Sequence, residues 1–337
     1  MYIEYDKNGY IKIESLLACG MPFIFVTGGR GTGKTYGALK YILDSGRRCM
    51  WMRRTQTETD LINKPEFQPF KALNADTGRN IDTKKAAKGS AVFIDLDDPE
   101  NIIGYTCALA TISNMRGFDA SDVELFVYDE FIPERHKAAI KEEGNALFNA
   151  YETLNRNREL QGRPPLQLLA LSNSNRLDNE IFAALDIINI CQDLKRNGER
   201  EYINTARGLA VFMLDNSPIS EKKRLTALYK LTAGGTFSEM ALDNQFADLA
   251  EHVSVKRNLR EYIPLATVGR LAIYRHKSNR RYYVTGTRAG VFKNEFADTD
   301  KERLAFIRTY PLLYDAYLKR RIDFSDYASE AAFRKLY

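Results

Sequence analysis

At 337 residues, the chain is long enough to bury large cores and to hold two domains. Hydrophobic residues at 44% and charged residues at 28% are ordinary for a soluble globular protein and exclude a disordered or low-complexity chain. The net charge of +5 permits a polyanionic partner without demanding one. No apolar run approaches the ~20 residues of a membrane-spanning helix. Cys19, Cys49, Cys107 and Cys191 are far apart and form no CxxC pair, so they read as reduced, mostly buried thiols of a cytosolic protein. His136, His252 and His276 are isolated, which argues against a histidine metal site. The N-terminal segment MYIEYDKNGYIK is polar, and no signal peptide is expected there.

The apolar run Phe23 to Val26 predicts a strand over 22–27, and Tyr36 to Leu43 is apolar at helical spacing, predicting a helix over 35–44. Between them stands GGRGTGKT: Gly28, Gly29, Arg30, Gly31, Thr32, Gly33, Lys34 and Thr35. A strand feeding a glycine loop that opens a helix is the context a phosphate cradle needs. Glycines let backbone N–H groups converge on phosphate oxygens, and the helix N-terminus adds a favourable field. Lys34 would reach the β- and γ-phosphates of ATP, and the Thr35 hydroxyl would ligate Mg²⁺. A strand over 48–52 ends in Arg53-Arg54. Residues 55–90 are polar, carry Lys84, Lys85 and Lys88, and read as an inserted loop or lid. Short strands are predicted at 91–95 and 105–112.

The continuous apolar run Val123 to Tyr128 suits a strand buried on both faces of a parallel sheet, and it runs into Asp129-Glu130. This is the Walker B arrangement. Asp129 would hold the Mg²⁺-bound water, and Glu130 would orient and deprotonate the attacking water. Residues 145–158 predict a helix, with Arg156 and Arg158 at its end. A guanidinium there could supply transition-state charge to a neighbouring subunit, or could be a solvated helix end interacting with the dipole. Leu166 to Leu171 is another central strand, followed by Ser172-Asn173. That pair suits a γ-phosphate sensor or a simple helix cap. Alternating βα units imply a doubly wound, mostly parallel sheet with its ligands at the carboxyl ends of the strands. The three motifs all fall at such ends.

After about residue 215 the texture changes. Residues 216–248 read as a linker with a basic helix from Glu221 to Lys230. Residues 249–337 read as a smaller domain with antiparallel strands at 262–268, 270–276 and 281–287 and two helices near 300–320 and 326–336.

The order GGRGTGKT, WMRR, LFVYDEF, TLNRNRE, LLALSNS and GTFSEMALDNQF resembles the DNA-packaging ATPases of φ29-type tailed phages. The resemblance covers most of residues 20–250 and weakens beyond. It implies an ASCE P-loop ATPase over residues 1–215 and an RNase H-like domain, a vestigial nuclease, over 249–337. It implies a homopentameric ring at the portal vertex of a prohead in the host cytoplasm, driving double-stranded DNA into the capsid. It places the phosphate-loop lysine on Lys34, the Walker B acid on Asp129, the catalytic glutamate on Glu130 and a trans-acting arginine finger on Arg156. A second trans-acting basic residue falls loosely on Arg116, and Arg53 and Arg54 would face the nucleotide or the lid.

In large terminases the C-terminal fold is a metal nuclease built on carboxylates. The three strands predicted here carry no Asp or Glu, and offer Arg270, Arg275, Arg280 and Arg281 instead. A two-metal site needs several acidic ligands, so a binding role without cutting is expected. A sequence-indifferent motor should grip phosphates rather than base edges. Lys84, Lys85, Lys88 and Lys137 are candidates for that grip, or plain solvated charge. In φ29 relatives a prohead RNA links motor to capsid, and the basic cluster Arg275 to Arg281 is a candidate surface for DNA or such an RNA. A P-loop kinase, a non-hydrolytic vertex protein and a general helicase are the rival readings. The Asp-Glu pair counts against the first, intact Lys34 and Glu130 against the second, and the lack of further helicase motifs against the third.

Overall fold

The structure, a computed structural model, describes residues 1–115, 119–133, 140, 142–173, 177–214, 217–234 and 254–337. The chain divides into two compact units, Met1–Leu185 with Leu194–Phe246, and Asp186–Asp193 with Ala247–Tyr337.

The first unit opens with α1 (Ile13–Leu17), β1 (Phe23–Gly28), α2 (Lys34–Ser45) and β2 (Cys49–Arg53). Every residue of β1 after Phe23 is buried, as its unbroken apolar run requires. Helix α2 starts at Gly33 and ends at Gly46, both left-handed (φ 90° and 68°), and the Gly46 N–H caps the Ile42 carbonyl. Its buried face, Ala38, Leu39 and Ile42, joins Ile13, Leu16, Ile24 and Val26 in one core.

Residues 55–90 prove more ordered than a polar loop. They form α3 (Gln56–Ile62), α4 (Lys71–Thr77) and β3 (Ile81–Ala87). Thr55 and Glu58 make a reciprocal capping box at α3, a start signal hidden in a polar segment. Strand β3 pairs antiparallel with β4 (Ser90–Asp95), and β4 with β5 (Asp98–Ala108). The strand expected over 105–112 is thus the end of a longer one, and a 3₁₀ turn follows it.

Next come β6 (Leu125–Asp129), α5 (Glu143–Asn155), β7 (Gln167–Ser172), α6 (Glu180–Ala184), α7 (Ile188–Asn197), whose residues up to Asp193 count with the second unit, β8 (Glu201–Asn204) and β9 (Leu209–Leu214). Among the described residues the sheet runs β3-β4-β5-β2-β6-β7-β1-β9-β8. From β5 to β9 every neighbouring pair is parallel. This doubly wound arrangement is the one expected, and β7 separates β1 from β6. Their carboxyl ends therefore deliver the glycine loop, Ser172-Asn173 and Asp129-Glu130 side by side. The basic helix expected over 221–230 is two short ones, α8 (Pro218–Arg224) and α9 (Ala227–Leu231).

In the second unit β10 (Tyr262–Val268), β11 (Leu271–His276) and β12 (Tyr282–Thr285) are antiparallel neighbours, close to the expected ranges. Two short strands flank them in parallel: β13 (Asn294–Phe296) beside β10, and β14 (Ile322–Phe324) beside β12. Three helices follow or interleave: α10 (Asp300–Thr309), α11 (Leu312–Leu318) and α12 (Tyr327–Arg334). The helix expected over 300–320 is broken at Tyr310-Pro311, because proline carries no backbone donor to continue the ladder. Phe306, Leu313, Phe324 and Phe333 pack with Val268, Ile273 and Val284 as the core of this unit.

Candidate active site

The glycine loop is shaped by its neighbours. A Cβ at Gly28 would lie 2.7 Å from Leu214 Cβ, and one at Gly33 would lie 2.9 Å from Tyr10 Cβ. Gly31 (φ 70°) and Gly33 (φ 90°) hold conformations that side chains disfavour. Lys34 is only 3% exposed. Its ammonium donates to the carbonyls of Gly28 (2.9 Å) and Gly29 (2.9 Å) and to Thr32 Oγ1 (3.0 Å). Burial lowers its pKa to about 7, an effect opposed by Asp129 and reinforced by Lys223. A buried cation with so few counter-charges is well matched to a polyanion. Arg30 is exposed at the tip of the loop.

The Thr35 hydroxyl donates to Asp129 Oδ1 at 3.2 Å, so the two groups a magnesium ion would share already meet. These residues fit Mg²⁺-ATP: a loop closely packed at Gly28 and Gly33, a buried ammonium, a hydroxyl and an acid. Asp129 is buried, and burial raises its pKa, with Arg53 pulling it back down. Arg53 spans both acids, donating to Asp129 Oδ2 (2.7 Å) and Glu130 Oε2 (3.0 Å). Asn173 Nδ2 donates to Glu130 Oε1 at 3.3 Å, linking the two candidate pairs directly. Ser172 is buried and in register with Thr27. Glu130 itself has φ 59°, and the Phe131 N–H reaches across to the Leu171 carbonyl (3.1 Å). Left-handed backbone at a non-glycine residue costs on the order of 1–3 kcal/mol and concentrates at functional sites.

Arg54 does not join this group. It is 2% exposed and forms a two-pronged pair with Glu143 at the start of α5, Nε to Oε1 at 2.7 Å and Nη2 to Oε2 at 3.0 Å. Tyr128 donates to Glu143 Oε1 at 2.7 Å. No sequence motif points to Glu143 or Tyr128. The available signal is a second arginine beside Arg53, since neighbours on a strand face opposite ways.

Helix α5 ends at Asn155, short of the expected 158, so both arginines lie beyond its last turn. Arg158 is buried, and its guanidinium donates to the carbonyls of Val123 and Ser121, a structural task. Arg156 closes the helix at φ 50°, ψ −135°, its side chain about half exposed and 3.9 Å from Asp119. Lys84, Lys85 and Lys88 are exposed on the β3–β4 hairpin. Arg116 and Lys137 lie outside the described residues. In the second unit Arg275 and Arg280 are exposed, Arg270 approaches Asp186 (3.8 Å), and Arg281 is tied to Asp323 (2.8 Å).

Residues 5–298 match the model of the Podovirus DNA encapsidation protein (Gp16) family. The chain belongs to that family. The DNA packaging protein of Bacillus phage PZA is 25% identical over 262 residues, covering 76% of this chain and 71% of that protein. The solved structure of the bacteriophage phi-29 viral genome packaging motor assembly matches with a TM-score of 0.69 and 18% identity, over 97% of this chain and 99% of that one. The phi-28 gp11 DNA packaging motor matches with a TM-score of 0.66 and 20% identity, over 98% and 97%. The two structural matches show a shared fold along nearly the whole encapsidation-family chain.

Proposed function

We propose that this encapsidation-family protein is the ATPase of a viral DNA-packaging motor, coupling ATP hydrolysis to translocation of double-stranded DNA into a prohead. The observation that carries this reading is the meeting of Lys34, Thr35, Asp129, Glu130 and Asn173 at one sheet edge. The glycine loop cradles the triphosphate, and Lys34 leaves the loop carbonyls for the β- and γ-phosphate oxygens, which are stronger acceptors. Mg²⁺, held by Thr35 and through water by Asp129, would offset charge developing on the phosphoryl oxygens. Glu130 orients and deprotonates the lytic water, with Asn173 and Arg53 setting the carboxylate's position. Arg156 acts on the site of the next subunit.

That trans role requires a ring of copies, read here as a homopentamer seated on the portal of the prohead, transiently, in the host cytoplasm. A prohead RNA is a further partner in this reading, met by the exposed Arg275 and Arg280. Lys84, Lys85, Lys88 and Lys137 are the DNA-gripping candidates of the first unit. The second unit we read as a binding domain without nuclease activity. Its support is the composition of β10, β11 and β12, which carry no Asp or Glu where a two-metal site needs several acidic ligands, with Asp323 of β14 paired to Arg257 and Arg281 at 2.8 Å each. Among the described residues no group of three or more His, Cys, Asp or Glu side chains is placed to hold a metal ion.

The test is ATPase activity of the purified protein with and without double-stranded DNA, alongside proheads scored for DNase-protected genome. ATP-dependent protection is expected. ATP turnover without any packaging would sink the motor reading.

A further inference from the structure

The site described so far draws on β1, β2, β6 and β7. A further cation approaches the same loop from a distant part of the chain. Lys223, in the last turn of α8, donates from Nζ to the carbonyl of Arg30 at the loop's tip. A Cβ at Gly31 would collide with that ammonium. The approach is anchored: α8 is fixed by Ser217 Oγ donating to the Gly9 carbonyl (3.3 Å) and Lys222 Nζ to the Asn8 carbonyl (2.9 Å). The turn that receives them continues into Ile11, whose N–H donates to the Thr32 carbonyl of the loop (3.0 Å), and Tyr10 packs on Gly33. Helix α8 and the N-terminal turn thus form one bracket around the phosphate loop.

From this geometry we infer that Lys223 is a further nucleotide-contacting residue, donating to the terminal phosphates of the bound triphosphate and reporting their presence to α8. The inference rests on the ATPase reading of the loop. An ammonium carries three donors, and the Arg30 carbonyl takes one, so phosphate oxygens can be engaged without releasing the loop. A phosphate oxygen is also the stronger acceptor, because charge-assisted hydrogen bonds are roughly twice as strong as neutral ones. Lys223 and Lys34 bring like charges to one loop, and Lys223 acts on Lys34 as an unfavourable neighbour. A triphosphate turns that repulsion into two attractions. Helices α8 and α9 are the last described elements before the chain passes to Ser254 and the second unit. A hydrogen bond that breaks when the terminal phosphate leaves therefore acts on α8.

The experiment measures binding of MgATPγS and MgADP by calorimetry to the full-length protein, with amide exchange read over Pro218–Arg224. Lys223→Ala is expected to weaken MgATPγS by about tenfold or more, and MgADP by less, as suits removal of a charge-assisted hydrogen bond. Lys223→Arg should stay within about threefold of the parent, because the charge is kept. Lys230→Ala, which removes an exposed lysine of α9 that takes no part in the bracket, should change affinity by less than about twofold. MgATPγS should protect α8 amides in the parent and not in Lys223→Ala. Unchanged MgATPγS affinity in Lys223→Ala, with binding abolished in Lys34→Ala, overturns this inference and leaves the loop reading intact. An equal loss in Lys230→Ala also overturns it, since general positive charge near the loop, and not a contact from Lys223, would then be the cause. Parent-like binding by Lys34→Ala overturns the loop reading itself.

Discussion

At Glu130 three facts converge: a left-handed backbone, a carboxylate steered by Arg53 and Asn173, and a position one residue beyond buried Asp129. The φ of 59° turns the chain sharply at the end of β6, and a strain of this kind persists only where surrounding contacts hold it. Here the Phe131–Leu171 backbone bond and the two side-chain donors hold it. Glutamine is isosteric with glutamate and accepts hydrogen bonds through its amide oxygen, but it cannot take a proton from water. Glu130→Gln is therefore expected to bind MgATP as the parent does and to lose turnover by about 10²–10⁴-fold, the usual weight of a general base. Equilibrium binding and steady-state ATPase on the same preparation check this. Full hydrolysis by the variant would remove Glu130 from its assigned role.

At the scale of elements, α5 is joined to β6 and to the residue just past β2 by the buried trio Arg54, Glu143 and Tyr128. The alternation of β2 carried one residue past its end accounts for the split between adjacent arginines: Arg53 turns to the acids of the site, and Arg54 turns to the helix. Helix α5 begins after Glu142 (φ 53°) and ends at Arg156 (φ 50°), so non-glycine residues hold positive φ at both ends. Removing one partner of a buried pair strands the other charge, at a cost of about 3–5 kcal/mol. Glu143→Ala should lower unfolding stability by that order, and Tyr128→Phe by only about 1 kcal/mol, because it removes one hydrogen bond and keeps the ring. Denaturant unfolding measures both. A Glu143→Ala cost near zero would mean the pair is not fully desolvated in solution.

The same elements mark what is legible in the sequence. Runs such as Phe23 to Val26, Leu125 to Tyr128 and Leu168 to Leu171 are apolar at every position, as strands buried on both faces must be, and they can be read directly. Strand β9, Leu209 to Leu214, has the same character and is missed, since an apolar run alone does not separate strand from buried helix. The ordered insert is masked by polarity: Lys84 and Lys85 sit on an edge strand whose outer half faces solvent. Chemistry at strand ends is legible because glycine, lysine and paired acids at fixed offsets have few other uses. Lys223 and Glu143 are not, because their roles depend on contacts about 190 and 90 residues away in the chain, which no local pattern encodes.

For the whole molecule, one chain brings the glycine loop, Asp129, Glu130 and Asn173 to one sheet edge, and Arg156 stands at the far end of α5. If Arg156 serves the neighbouring copy, the contact is head-to-tail, the kind of interface that closes into rings. Mixing variants tests this without knowing the ring size. Arg156→Ala alone should be inactive, because every site lacks its incoming guanidinium, and Glu130→Gln alone should be inactive, because every site lacks its base. In a random one-to-one mixture about one interface in four pairs an intact Glu130 with an intact Arg156 from the next copy. ATPase and packaging on proheads should then recover part of the parent rate. Were Arg156 to act on its own subunit's nucleotide, no subunit in the mixture would hold both groups, and recovery would be absent at every mixing ratio.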